Sequence, residues 1–239
     1  FKAFKLHAWG GPVKRDIELC ANLRKWVGPD ADLMFDGSAG WDYVNALEFG
    51  KAIQDLGFLW YEEPMREFHL GAYTKLCEKL DIPILGPESL SGKHHSRADW
   101  IKAGASDILR AGVTGVGGIS PALKVAHMAE GFGMNCEVHG NGAANLAVCA
   151  AVRNCRWYER GLLHPFLEYD DGHDYLKSLS DPMDAEGFVH VPDRPGLGED
   201  IDFDFLFSLQ ANDILFIDNS HRILPNSDAT VFFLEVLPK

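Results

Sequence analysis

The chain has no apolar run approaching the roughly 18–20 residues that cross a bilayer, so no membrane partner is expected. It has no CxxC spacing, and its five cysteines (Cys20, Cys77, Cys136, Cys149, Cys155) are an odd number. A full disulfide framework is excluded, and free thiols in a reducing, cytoplasmic setting are the expectation. No GxGxxG loop is present, and Gly115-Val116-Gly117-Gly118 has the wrong spacing for one. Positive charge is scarce. Lys plus Arg total 22 against 35 Asp plus Glu, a formal charge of −13. Such a surface repels phosphate backbones, so no nucleic-acid partner is expected, yet clustered carboxylates would welcome a local cation. The amino end, Phe1-Lys2-Ala3-Phe4-Lys5, has neither a signal-peptide layout nor an initiator Met, so the 239 residues read as a piece of something longer.

What is present is alternation. Short apolar runs at Ala3–His7, Asp32–Asp36, Phe58–Glu62, Pro83–Glu88, Asp107–Gly112, Met134–His139 and Arg156–Glu159 read as seven buried parallel strands. Amphipathic runs lie between them. Ile17, Cys20, Leu23 and Val27 fall on one helical stripe, Ala46–Leu56 repeats the pattern, and Pro121–Phe132 follows. A strand and a helix every 26 residues or so is the rhythm of βαβ units. An open doubly wound sheet and a (β/α) barrel both fit that rhythm. The barrel gathers chemically useful residues at the carboxyl ends of its strands. His7, Asp36, Glu62, Glu88, His139 and Glu159 each close an apolar run, so the fold expected is an α/β, TIM-type barrel.

Asp36, Glu62 and Glu88 stand at equal intervals of 26 residues. On consecutive strand ends they would aim at one point. Three converging carboxylates repel one another unless a cation neutralises them, and hard oxygen donors suit Mg²⁺. Lys5 and His7, two apart on one strand, share a face. His139 and Glu159 close later strands.

These residues carry a resemblance to the enolase superfamily, in its mandelate-racemase-like subgroup that includes the acid-sugar dehydratases. The segments are Phe4-Lys5-Leu6-His7, Leu33-Met34-Phe35-Asp36, Trp60-Tyr61-Glu62-Glu63-Pro64, Gly86-Pro87-Glu88-Ser89, Gly117-Gly118-Ile119, Asn135-Cys136-Glu137-Val138-His139, 185–192 and Pro195-Gly196-Leu197-Gly198. It covers residues 1–205. The resemblance implies Asp36, Glu62 and Glu88 as Mg²⁺ ligands, with Glu63 beside them. Lys5 and His7 match the Lys-x-Lys pair of the second barrel strand. His139 matches the acid/base of the seventh strand, and Glu159 the carboxylate of the eighth that hydrogen-bonds the substrate carboxylate or enolate. The implied activity is a Mg²⁺-dependent lyase that removes the proton alpha to a carboxylate, passes through an enediolate and dehydrates an acid sugar. The implied assembly is a homo-oligomer. Alternatives are a racemase or epimerase of a 2-hydroxy acid, or a non-catalytic barrel fragment.

The chain departs from that pattern in four places. His7 stands where the second lysine would be. Gly112 stands where an aspartate would partner His139, and Asp107 lies at the wrong end of its strand. The first strand and the N-terminal capping domain are expected to be absent, leaving an incomplete barrel. From about residue 206 the tail resembles a fragment of a class I S-adenosylmethionine-dependent methyltransferase, read as a strand at 212–218 and a helix at Ser227–Leu237 that could fill the gap left by the first strand. Among the remaining residues, His94 and His95 read as an exposed loop pair, Asn141 as a candidate substrate contact and Asn145 as its neighbour. Arg110 reads equally as an internal salt-bridge partner or a ligand contact, Trp60, Tyr61, Trp157 and Tyr158 as packing, and Glu168 and Asp170 as surface.

Overall fold

The computed structural model describes residues 3–7, 10–160, 172–210, 216–217 and 223–224. Six strands, β1 (Ala3–His7), β2 (Asp32–Asp36), β3 (Tyr61–Glu62), β4 (Ile84–Leu85), β5 (Ile108–Ala111) and β6 (Asn135–Val138), pair in parallel in chain order and curl into a half-barrel. A doubly wound sheet would reverse its order at a switch point; an unbroken 1-to-6 order is a barrel wall. Between the strands run α1 (Val13–Val27), α2 (Tyr43–Asp55), α3 (Leu70–Lys79), α4 (Lys93–Ala103), α5 (Val113–Val116) and α6 (Ile119–Gly131), with α7 (Ala143–Ala151) after β6.

The period of two along each strand sorts residues between the two faces of the sheet. Leu33, Phe35, Tyr61 and Ile84 pack outward with Phe49, Ile53 and Leu76 of the helices. Met34, Trp60 and Leu85 form a separate inner cluster with Ala3, Ile108 and Trp157. That inner cluster is the floor. Two residues further along the same faces come Lys5, Asp36, Glu62, Arg110 and Glu159, which is how an apolar floor supports a polar mouth.

The helices seat as their sequences predict. In α1, Cys20 is buried, and Ile17, Leu23 and Val27 pack against the same core. In α2, Asp42 caps the first turn by accepting the Asn45 N–H at 2.9 Å, and Ala46, Phe49 and Ile53 are fully buried. Each such large apolar side chain contributes roughly 1.5–3 kcal/mol. Gly50 sits where α2 packs against Leu80 and the Tyr61 ring. A Cβ there would lie 2.4 Å from Leu80 Cδ1 and 3.3 Å from the Tyr61 ring.

Several expectations are corrected. Arg156–Glu159 forms no strand, because a side chain takes its donors. Glu137 accepts the N–H of Arg156 at 3.2 Å and of Trp157 at 3.1 Å, so these donors are lost to a ladder. β3 and β4 are only two residues each. Residues 187–192 give an isolated bridge between Met183 and Val189 instead of a strand. His94 and His95 lie in the first turn of α4, ring centroids 4.1 Å apart, rather than in a loop. A helix the sequence reading missed, α8 (Phe203–Gln210), precedes the tail. There β7 (Phe216–Ile217) and β8 (Ile223–Leu224) pair antiparallel in a sheet of their own. The helix expected over Ser227–Leu237, together with Glu168 and Asp170, lies outside the described residues. Among the described residues no helix is long and apolar enough to cross a membrane.

Candidate active site

The mouth of the half-barrel holds one continuous network of charge. β1 supplies Lys5, whose Nζ lies 2.9 Å from Glu62 Oε2 and 3.6 Å from Asp36 Oδ2 and also meets Glu159 Oε1. β2 ends on Asp36, in register with Glu62 at the end of β3 and with His7 at the end of β1. His7 Nε2 is 3.2 Å from Asp36 Oδ2. β5 supplies Arg110, buried among acids. Its Nε faces Glu62 Oε1 at 2.7 Å and Glu88 Oε2 at 3.6 Å, and its Nη2 meets Glu159 Oε2 at 2.7 Å. His139, just past β6, places Nε2 3.2 Å from Glu88 Oε1. All seven residues singled out from sequence therefore meet in one cluster, with Arg110 as an eighth member. A cavity of about 180 Å³ opens beside them, lined by His7, Asp36, Ser38, Glu88 and Arg66 among others.

Each charge is set by its neighbours. Burial opposes the Lys5 ammonium, but Glu62, Glu159 and Asp36 together hold its pKa above the ordinary value. The hydrogen bond to Asp36 raises His7. Asp36 stays below the usual carboxylate range because His7, Lys5 and the Ser38 N–H at 2.8 Å outweigh its burial. Glu159 is held well below that range, against burial, by Arg110, Lys5 and the Gly140 N–H. Glu88 goes the other way. Burial, and then the nearby carboxylates, push it up to about 8 despite Arg110. His139 is pressed down to about 4 by desolvation first and Arg110 second.

A family described as "Enolase C-terminal domain-like" matches residues 1–205. The chain belongs to this family. Among the relatives of this enolase-like chain is D-galactarolactone cycloisomerase of Agrobacterium fabrum, 32% identical over 89% of the chain and 58% of the relative. Arabinonate dehydratase of Saccharolobus solfataricus is 32% identical over 83% and 52%. Among solved structures, a D-glucarate dehydratase from Agrobacterium tumefaciens complexed with magnesium is 62% identical, with a TM-score of 0.83, over 87% of this chain and 56% of that one. The chain thus spans about half the length of the relatives it matches.

The donor set of the enolase-like mouth suits a hard dication. It consists of three carboxylates that close neighbouring strands, with the buried Glu62 Oε1 met by the Arg110 guanidinium at 2.7 Å without a well-aligned hydrogen bond. Burial and the neighbouring carboxylates push Glu88 up to about 8, a cost that a cation at this point would relieve. As the side chains stand, no three metal-type ligands among the described residues group around one point. Lys5 instead bridges Asp36 to Glu62, and Arg110 bridges Glu62 to Glu88.

Of four supporting residues, Ser38 and Arg97 escaped the sequence reading, whereas Arg110 and Glu63 were named by it. Arg110 turns out to be the buried hub of the network. Ser38 donates its N–H to Asp36 and places Oγ 3.2 Å from His7 Nε2; the Asp-x-Ser spacing of an Asx turn was a usable signal. Glu63 turns back at φ +37 and accepts the Glu88 N–H at 2.6 Å. Arg97, fully buried in α4, donates to the carbonyls of Pro87 at 3.0 Å and Glu88 at 2.7 Å. A helical arginine carries no sequence signal for that role. Of the remaining candidates, Asn145 accepts the Val113 N–H at 2.9 Å and donates to the Asn141 carbonyl at 3.0 Å, which ties loops together. Trp60 and Trp157 pack in the inner floor. Tyr158 does more than pack. Its hydroxyl donates to Asp181 at 2.5 Å and accepts the Gly142 N–H at 2.8 Å.

Proposed function

We propose that this chain carries the active site of a Mg²⁺-dependent hydro-lyase that dehydrates an acid sugar, with six-carbon diacids such as D-glucarate as the substrate class. The observation that carries the reading is the placement of Asp36, Glu62 and Glu88 on neighbouring strand ends, in one network with Lys5, His7, His139 and Glu159. The 62% identity to a D-glucarate dehydratase supports the substrate class.

Asp36, Glu62 and Glu88 would hold the ion, which supplies positive charge against the substrate carboxylate as the α-proton leaves. Lys5, kept protonated by its acidic neighbours, binds that same carboxylate. His139, neutral near pH 7, accepts the α-proton on its imidazole nitrogen. His7, whose proton is held by Asp36, donates to the departing β-hydroxyl so that it leaves as water. Glu159, held ionised, keeps Lys5 and Arg110 in place. Arg66 lines the same cavity and offers a guanidinium to the far carboxylate of a diacid. Residues 1–205, the span that the family matches, hold every group in this scheme.

The test is D-glucarate with Mg²⁺ in D₂O, followed by proton NMR and by trapping of the keto product as a semicarbazone. The expected result is loss of the α-proton signal and formation of a ketone, with both absent in His139→Asn. Absence of exchange with every six-carbon diacid tried, in protein that Mg²⁺ stabilises, would leave a metal-binding barrel without turnover. Arg66→Gln should raise KM for diacids more than for monoacids and change kcat little.

A further inference from the structure

Outside the acidic mouth, three of the five cysteines gather around the end of α7 and the segment that follows it. Cys136 is fully buried on the outer face of β6. Cys149, in α7, and Cys155, four residues before Glu159, are both partly exposed, and their sulfurs are 3.7 Å apart. Cys155 Sγ also lies 3.6 Å from Glu137 Oε2 and 3.4 Å from the Trp157 carbonyl. Glu137 is the carboxylate that holds the Arg156 and Trp157 N–H groups. The thiol pair therefore touches the clamp that sets the course of the chain into Glu159.

We propose that Cys149 and Cys155 are a peroxide-sensitive dithiol that closes to an intramolecular disulfide and, by drawing Cys155 off Glu137, loosens the segment leading to Glu159. A contraction from 3.7 Å to the roughly 2.05 Å of an S–S bond needs a side-chain rotation rather than a rearrangement of the fold. The chemistry balances in two steps. A thiolate of the pair attacks a peroxide oxygen, the O–O bond breaks, and the products are a sulfenic acid and hydroxide. The second thiol then attacks the sulfenic sulfur, the S–O bond breaks, and water leaves. Two thiols are oxidised and one hydrogen peroxide is reduced to two waters. The hydrogen bond shared with Cys149 holds Cys155 below its ordinary thiol value, which favours Cys155 as the first attacker. The Glu137 carboxylate opposes that thiolate, so the pair answers sustained rather than trace peroxide. Cys20, Cys77 and Cys136 serve as internal comparisons, since burial raises the pKa of each.

The digest is readable because Arg153 and Arg156 flank Cys155. The full chain is exposed to hydrogen peroxide, its remaining thiols are alkylated, and it is cut with trypsin and a glutamate-specific protease. The expected product joins the tripeptide Asn154-Cys155-Arg156 to residues 138–153, two hydrogens lighter than their sum. Dithiothreitol should separate the two, and both Cys149→Ser and Cys155→Ser should lack the product. Hydrogen exchange on the oxidised protein should show the Arg156 and Trp157 amides opening about tenfold faster. Alkylation of both thiols after peroxide, or a sulfinic acid on either without the cross-link, overturns the dithiol. A cross-link that leaves those two amides unchanged overturns the coupling to Glu159.

Discussion

Glu88 illustrates what a buried carboxylate costs when other carboxylates surround it. Burial, and then Glu62, Glu63 and Asp36, hold its proton up to about pH 8, whereas an unfolded carboxylate releases it near pH 4.3. Between those values the folded state binds the extra proton, so stability falls as pH rises through this window, and the penalty is complete above about 8. Glu88→Gln should therefore gain on the parent as pH rises from 5 to 8.5 in metal-free buffer, read from urea midpoints, and should lose any response to Mg²⁺. Asp36 and His7 carry the opposite sign. The depressed Asp36 stabilises above about pH 3.9 and loses this as pH falls through its lower folded value; the raised His7 stabilises below about 6.5 and loses this as pH rises through its folded value. The pair is strongest between those limits, so His7→Ala should cost more at pH 5.5 than at pH 9. Which residues would gather in the mouth was legible because equal spacing and strand-end position are properties of sequence. Arg110 was only half legible. A lone arginine on a strand does not announce how many acids will surround it.

At the level of elements, the stretch from Arg156 to Glu159 shows where periodicity stops being informative. Its alternation is that of a strand, and Trp157 and Glu159 do point inward with the right parity. Its N–H groups nevertheless go to the buried carboxylate of Glu137. Competition from a distant side chain cannot be read from a local pattern. Glu137→Ala should remove those bonds, cost about 1–3 kcal/mol as part-buried donors lose a buried acceptor, and speed exchange at Arg156 and Trp157. The end of β5 sets another limit. A Cβ on Gly112 would lie 3.0 Å from the His139 carbonyl oxygen, 3.1 Å from its Cβ and 3.2 Å from its Nδ1. The glycine that takes the place of a partner aspartate is thus one against which His139 packs directly. Gly112→Ala should destabilise by about 1–3 kcal/mol through overpacking against backbone. Gly112→Asp should displace His139 rather than orient it, visible as a shifted imidazole resonance.

For the molecule as a whole, the strand order, the half-barrel and the family were legible, because a βαβ rhythm and eight motif segments are spread along the first 205 residues. The tail was not. Its β7–β8 pair and the α8 helix before it follow no rhythm set by the barrel. The net charge of −13 concentrates its consequences in the mouth, where four carboxylates, Asp36, Glu62, Glu88 and Glu159, share two organic cations, Lys5 and Arg110. A dication that binds only the folded arrangement must stabilise all of it. At a hundredfold excess over its dissociation constant that amounts to about 2.7 kcal/mol. For a chain of this size each kcal/mol moves the melting midpoint by roughly 2–4 °C, which gives a rise of about 5–10 °C. Calorimetry with and without Mg²⁺ should show that rise in the parent and none in Glu62→Gln. If the midpoint of the parent does not move while melting stays cooperative, then Lys5 and Arg110 already satisfy the carboxylates, and the proposed chemistry loses the charge it depends on.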